Sequence, residues 1–76
     1  MRKTIPKPSF LDKCIFLKSM HGQKRWRSKD GKRTYTWDEV HGEIEAFNRR
    51  GKHIGVLDAI TGIPIKPPVR GRFIDV

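Results

Sequence analysis

Beyond residue 23, apolar and polar side chains alternate along the chain in short stretches, which is the pattern of half-buried β-strands. The pair Asp30-Gly31 lies between two such stretches and predicts a hairpin with strands at residues 26–28 and 33–37. A second pair of strands is predicted at residues 43–47 and 53–57. Because short turns join these strands, we expect them to form an antiparallel meander.

The last part of the chain contains three prolines, which cannot donate to a sheet ladder. They exclude a central strand, so we expect an edge or a loop over residues 63–71 and a short strand at residues 72–74. The three prolines are Pro64, Pro67 and Pro68.

The N-terminal part of the chain predicts a helix. Residues 1–8 are basic and contain prolines, so we expect a flexible basic arm. Ser9 is a good N-cap with Asp12 three residues later, and the apolar side that follows predicts a helix over residues 9–21 covering the sheet. The expected fold class is α+β, with one N-terminal helix and a strongly twisted antiparallel sheet of about four to five short strands. Residues 9–76 are expected to form a single domain.

Strand alternation assigns the side chains to two faces of the sheet. Ile44 and Ala46 are expected on the core face, opposite Ile54 and Val56 of the next strand. The other face gathers the polar side chains of His41, Glu43 and Glu45. The alternation leaves open whether His53 joins them.

Size and charge narrow the possible functions. The chain has 76 residues and a formal net charge of +9, which excludes a multidomain enzyme and a nucleotide-binding α/β fold. Residues 1–33 hold 11 Lys or Arg and two acids, whereas residues 34–76 hold six residues of each sign. This excess of positive charge predicts an anionic partner, namely nucleic acid, a membrane surface or an acidic protein.

Cys14 is the single cysteine, so an intramolecular disulfide and a cysteine-based zinc site are both excluded. A mixed site from Cys14, His21, His41 and His53 has no metal-motif spacing, so we expect no metal and no cofactor. Charges and prolines interrupt the apolar runs, so we expect neither a signal peptide nor a membrane span in this chain. The sequence leaves open whether it is a whole intracellular protein or the tip of a larger secreted one.

The clustered carboxylates are the first indication of chemistry, because a protein that only binds phosphate does not need them. The segment from Asp38 to Glu45 offers one imidazole, that of His41, and several carboxylates, and its spacing allows a general acid and a general base on either side of one scissile group. RNA cleavage through its own 2′-hydroxyl needs such a pair and a cation for the phosphorus oxygens, and it needs no metal. From the residues alone, the alternative stays open that these charges only solvate an exposed strand.

Basic residues surround the first predicted hairpin and alternate with Trp26 and Tyr35. We interpret these cations as an RNA-binding surface, with the aromatic rings either against bases or in the core. The cations are Lys24, Arg25, Arg27, Lys29, Lys32 and Arg33.

Several motifs follow one another in order over residues 23–74. They are Lys24-Arg25-Trp26, Asp30-Gly31, Tyr35-x-Trp37-Asp38-x-x-His41-Gly42-Glu43-x-Glu45, Gly51-x-His53-x-Gly55-x-x-Asp58-x-x-Thr61-Gly62 and Arg72-x-Ile74. In these residues and spacings the chain resembles the C-terminal ribonuclease domain of the ribosome-inactivating colicins and cloacin. The resemblance implies a small twisted antiparallel sheet that cleaves small-subunit (16S) ribosomal RNA at the decoding site, without a metal, in the bacterial cytoplasm.

The resemblance also implies roles for individual residues. Glu45 falls on the general base, His41 on the general acid, and Asp38 on the acidic residue that supports the acid. Arg72 falls on the arginine that holds the phosphate or the transition state. Two further residues fall on supporting positions near the site: Glu43 and His53.

The chain departs from the family pattern at two positions near the implied site, residues 47 and 71. Phe47 stands at a supporting position where the toxins have a tyrosine, so a hydroxyl near the site is missing. Gly71 replaces a basic residue directly before Arg72. The predicted helix has no counterpart in the colicins.

A cell that makes such a toxin needs an inhibitor, and the charge of +9 favours a small acidic immunity or antitoxin protein. Two other functions stay open from the sequence. One is a non-catalytic basic RNA-binding or ribosome-associated module. The other is a messenger-RNA-cleaving toxin of a toxin–antitoxin pair.

Overall fold

A computed structural model describes residues 2–76, so the first residue of the predicted arm over residues 1–8 lies outside them. The chain forms one six-stranded antiparallel sheet in which every strand pairs with its neighbours in sequence. The strands are β1 (Ile15–Met20), β2 (Gln23–Arg27), β3 (Arg33–Asp38), β4 (Glu43–Asn48), β5 (His53–Leu57) and β6 (Pro64–Lys66). The antiparallel meander is confirmed, with six strands in place of the four to five predicted.

The predicted helix over residues 9–21 is wrong. Ser9 and Asp12 do form a capping box, but it opens only a four-residue 3-10 helix, Phe10–Lys13. The residues after Cys14 form strand β1 instead, at one edge of the sheet. The fold is therefore a sheet with one 3-10 turn, not a sheet covered by a helix.

The turn after β1 explains this difference. His21 and Gly22 have φ angles of 54° and 76°, and they join Met20 to its partner Gln23 as a two-residue loop. Positive φ at both positions is the geometry of a type I′ hairpin turn, whose twist matches that of the strands. The same His-Gly pair that suggests a helix end in the sequence is therefore a hairpin turn.

The hydrophobic core lies on one face of the sheet, under the 3-10 helix. Phe10 packs edge-on against Tyr35, with ring centroids 5.5 Å apart. Ser9 Oγ and the backbone N–H of Phe10 both donate to the carbonyl of Ala59, which fixes the helix on the sheet. The buried core residues are Leu11, Trp26, Tyr35, Ile44, Ala46 and Leu57.

A β-bulge in β5 changes which of its residues face the core. Ala46 pairs with Gly55 and Phe47 with His53, so Ile54 is an extra residue between the two pairs. As a consequence Val56 pairs with Glu45 and Leu57 pairs with Ile44. Val56 is buried, as expected, but on the face of Glu45 rather than on the predicted face of Ile44 and Ala46. The bulge also brings His53 to the face that carries Glu45.

The C-terminal segment crosses the polar face. The predicted edge over residues 63–71 contains the short edge strand β6. The strand predicted at residues 72–74 is reduced to a single bridge between Phe73 and Lys52, and Ile74 donates to the carbonyl of Gly51. In the described part of the chain, no helix has the length and hydropathy needed to cross a bilayer.

Candidate active site

The polar face carries a row of side chains that the strand register sets side by side. The row contains one residue from each of the strands β2 to β6. Asp38 and Glu43 form the neighbouring cross-strand pair, next to the turn that joins β3 to β4. The members of the row are Arg25, Thr36, Glu45, Val56 and Lys66.

Glu45 lies at the centre of this row and is 4% exposed. Its Oε1 atom accepts from His53 Nε2 at 3.0 Å and from the Arg72 guanidinium at 2.5 Å. Its Oε2 atom accepts no hydrogen bond from the described residues. One oxygen of the carboxylate is therefore held by two donors, and the other is free to take a proton.

His53 is fully buried, and both ring nitrogens are hydrogen-bonded. The backbone N–H of Val69 donates to Nδ1 at 2.9 Å, so Nδ1 carries no proton. The ring therefore donates its Nε2–H to Glu45 as a neutral imidazole. The pair is a neutral-to-charged hydrogen bond that orients the carboxylate.

Asp38 orients His41. Its Oδ2 atom lies 2.8 Å from His41 Nδ1, and Oδ1 accepts the backbone N–H groups of Val40 and His41 at 3.0 and 3.2 Å. Burial alone would raise the pKa of Asp38, but these bonds outweigh it and hold the pKa below its usual value. The His41 side chain is 61% exposed, so much of the imidazole faces solvent.

Glu43 is bound to Lys66 at 2.8 Å, and this hydrogen bond raises the pKa of the lysine. Glu43 also lies near Asp38 and His41, and the three offer ligand atoms within 4.8 Å of one another. The ammonium of Lys66 already neutralises Glu43 and opposes a second cation beside it, so the group fits a metal ion poorly. Cys14, the first residue of the mixed metal set considered above, belongs to no such group among residues 2–76.

Arg72 and Phe47 complete the site. The Arg72 side chain is 44% exposed and reaches Glu45 from the C-terminal segment, whose backbone is bound to β5 by the bond from His53 N–H to the Arg72 carbonyl. Phe47 is fully buried and packs edge-on against the His53 ring, with centroids 5.2 Å apart. A buried carboxylate, an exposed imidazole and a half-exposed guanidinium thus lie on one face.

The model of the Cytotoxic family matches residues 12–75. The chain belongs to the Cytotoxic family. It is 40% identical to colicin E3 of Escherichia coli over 47 residues, which are 60% of this chain. It is 38% identical to colicin E6 and to cloacin, also of Escherichia coli, over 45 residues or 58% of this chain. These matches confirm the resemblance to the colicins and cloacin, and they span 8% of the length of each relative.

The predicted RNA-binding cations of this Cytotoxic-family chain divide into two groups. Arg25 is 9% exposed, and its guanidinium donates to the carbonyl of Asp75 rather than facing solvent. The other five are exposed around the β2–β3 hairpin: Lys24, Arg27, Lys29, Lys32 and Arg33.

Two groups at the site were missed in the sequence. Lys66, which binds Glu43, lies on a Pro-flanked edge strand whose register depends on a shift between Val56 and Leu57. Val69 acts through its backbone N–H, so its residue type carries no signal. Neither role could be derived from spacing alone.

Proposed function

We propose that this chain is the ribonuclease domain of a colicin-like bacterial toxin. Its substrate is small-subunit (16S) ribosomal RNA, cleaved at the decoding site in the bacterial cytoplasm, which stops translation. The observation that carries the proposal is the state of Glu45, a buried carboxylate with one oxygen fixed by two donors and the other free. The Cytotoxic-family membership supports the toxin class.

The reaction is a transesterification by the 2′-hydroxyl of the RNA. Glu45 takes the 2′ proton on its free oxygen, and the 2′ oxygen attacks the adjacent phosphorus. The bond from phosphorus to the 5′ oxygen breaks while His41, as imidazolium, donates its Nε2 proton to that oxygen. The products are a 2′,3′-cyclic phosphate and a free 5′-hydroxyl.

Two further residues support the charged states of this reaction. The carboxylate of Asp38 stabilises the imidazolium of His41 through Nδ1 and fixes the ring orientation. Arg72 uses one N–H on Glu45 and has further donors for the phosphorus oxygens as their charge grows in the transition state. Each of the two proton-transfer groups is expected to contribute about 10²- to 10⁴-fold to the rate.

The chemistry proposed here uses no metal. A proton is removed by Glu45 and supplied by His41, and the phosphoryl charge is met by a guanidinium. Lys66 forms a hydrogen bond with Glu43, and a metal ion bound by Asp38, His41 and Glu43 would need that carboxylate as a ligand. Activity in excess chelator is therefore expected.

The exposed cations of the β2–β3 hairpin are proposed to bind ribosomal RNA phosphates. The inhibitor is proposed to be a small acidic immunity or antitoxin protein, because complementary charge speeds its capture of a chain with net charge +9.

The test compares purified ribosomes treated in chelator with wild type, with Glu45→Gln and with His41→Ala. Lys13→Ala, an exposed lysine on the 3-10 helix, is the matched control. We expect one discrete fragment from the 3′ end of the small-subunit RNA with wild type and control, and none with the two site variants. Intact RNA with tight ribosome binding would favour a non-catalytic RNA-binding module, and cleavage of messenger RNA alone would favour a toxin–antitoxin ribonuclease.

A further inference from the structure

The N-terminal segment is held on the turn that carries His41. The backbone N–H of Lys3 donates to the carbonyl of Glu39 at 2.7 Å, and Trp37 Nε1 donates to the carbonyl of Lys3 at 2.9 Å. Arg2 Nε lies 3.2 Å from Glu39 Oε1, and Ile5 packs against the hydrophobic core. None of these contacts uses the ammonium group of Lys3.

Gly42 provides the space for this segment. Its φ angle is 69°, and a Cβ atom at this position would lie 2.8 Å from Lys3 Cδ. The stem of Lys3 therefore passes directly over the residue between His41 and Glu43. The glycine of the His-Gly-Glu motif serves both the positive φ of the turn and the close approach of Lys3.

A groove of about 1040 Å³ is lined by this segment and by the neighbouring part of the sheet. Glu45 and Arg72 both line it, so the groove is continuous with the candidate active site. Trp37, which is half-buried, also lines it and offers part of its ring, whereas Trp26 at the groove wall is buried in the core. The cations along its walls are Arg2, Lys3, Lys7, Lys24 and Arg72.

The carboxylates in the groove are already engaged in hydrogen bonds or ion pairs within the chain. Each has a partner: Asp12 with the N-cap backbone, Asp38 with His41, Glu39 with Arg2, and Glu45 with His53 and Arg72. In contrast, none of the three lysines in the groove lining enters an ion pair with a residue between positions 2 and 76. The unpaired positive charge therefore belongs to Lys3, Lys7 and Lys24.

We propose that this groove binds a single-stranded stretch of RNA next to the cleaved bond, and that Lys3 and Lys7 contact its phosphates. Unpaired lysines beside an accessible aromatic ring, here the half-buried Trp37, are the arrangement that binds single strands, with the cations on the backbone and the ring on a base. The groove has the volume of a small-ligand site, which takes a few nucleotides but not a duplex. This inference rests on the proposed function for its substrate class.

The test measures binding in the Glu45→Gln background, where cleavage is blocked and the probe stays intact. The probe is a fluorescent single-stranded RNA of about a dozen nucleotides, within the range of single-strand binding sites, and a duplex of the same length is the comparison. The variant is Lys3→Ala with Lys7→Ala. The matched control is Lys13→Ala with Lys18→Ala, which removes the same charge from exposed lysines outside the groove.

We expect single-strand binding to be about tenfold weaker in the double variant of Lys3 and Lys7, and to change by no more than about twofold in the control variant of Lys13 and Lys18. A plot of the logarithm of the binding constant against the logarithm of the salt concentration should have a slope smaller in magnitude by roughly 1.4 in the Lys3 and Lys7 double variant. Each lost phosphate contact on a single strand contributes about 0.7 to this slope. Trp37 fluorescence should remain that of the parent, since Lys3→Ala keeps the backbone carbonyl that holds the indole.

Equal losses in the two pairs would overturn the inference, because net charge alone would then explain them. Duplex binding as tight as single-strand binding would also overturn it. Failure of the proposed function is separate, because it is seen as uncleaved ribosomal RNA with wild-type protein. Groove binding in the inactive background does not depend on that result.

Discussion

The guanidinium of Arg72 lies over the ring of Phe47, 5.7 Å from its centroid. The same ring packs against His53, so one buried aromatic side chain supports two of the groups that contact Glu45. The face of the ring attracts the cation and does not require a hydroxyl. The phenylalanine at a position where the toxins have a tyrosine is therefore compatible with an intact site.

Replacing this ring should weaken the hold on Arg72. We expect Phe47→Leu to lower kcat by about two- to fivefold, which corresponds to roughly 0.5–1 kcal/mol of cation–π attraction. Phe47→Tyr, which keeps the ring, should stay close to wild type in kcat. Cleavage kinetics on ribosomes decide this, and an unchanged rate in Phe47→Leu would contradict the role given to the ring.

His53 should be required for both stability and rate. His53→Ala removes one donor from the buried carboxylate of Glu45 and leaves a cavity, so the free energy of unfolding should fall by about 2–4 kcal/mol. His53→Gln offers an amide N–H near the position of Nε2 and should recover part of the loss. Urea unfolding and kcat are measured together, and equal behaviour of the two variants would argue against the hydrogen bond as the cause.

The lowered pKa of Asp38 makes a prediction about acid stability. Because the pKa is lower in the folded chain, ionised Asp38 stabilises the fold above the unfolded pKa of about 4, and this stabilisation is lost as pH falls through the folded value. Wild type should therefore be more stable than Asp38→Asn at about pH 6, and the difference should shrink towards about pH 2. A difference that stays constant over this range would contradict the assignment.

Arg25 is expected to anchor the C-terminal segment rather than to contact RNA. Its guanidinium donates to the carbonyl of Asp75, in the segment that also carries Arg72. Arg25→Met and removal of residues 75–76 should each destabilise the fold, and the double change should cost little more than either alone. The expected coupling is about 1–3 kcal/mol in urea unfolding. Additive losses of unfolding free energy would show that Arg25 and residues 75–76 stabilise the fold independently.

Local signals in the sequence are sufficient to predict the central hairpins. Asp30-Gly31 marks the β2–β3 turn, and the alternation around Glu45 places it on the polar face with Glu43. These features depend on residues close together in sequence, where turn chemistry and strand period act directly.

Features set by strand register could not be derived in the same way. The bulge at Ile54 moves His53 and Val56 to one face, although their spacing of three residues predicts opposite faces. His21-Gly22 suits a helix end as well as a type I′ turn, and only pairing with β2 decides between them. The contacts of Lys66 and Val69 depend on where the C-terminal segment crosses the sheet, which no periodicity records.

In the proposed reaction, Glu45 removes the 2′ proton so that the RNA cleaves itself. The most direct measurement is the chemistry of the new RNA end after ribosomes are treated with the protein in excess chelator, with Glu45→Gln as the matched control. We expect one small-subunit fragment pair with a 2′,3′-cyclic phosphate on one side and a 5′-hydroxyl on the other, absent with the variant. A 5′-phosphate end, a requirement for metal, or the same cleavage by Glu45→Gln would contradict it.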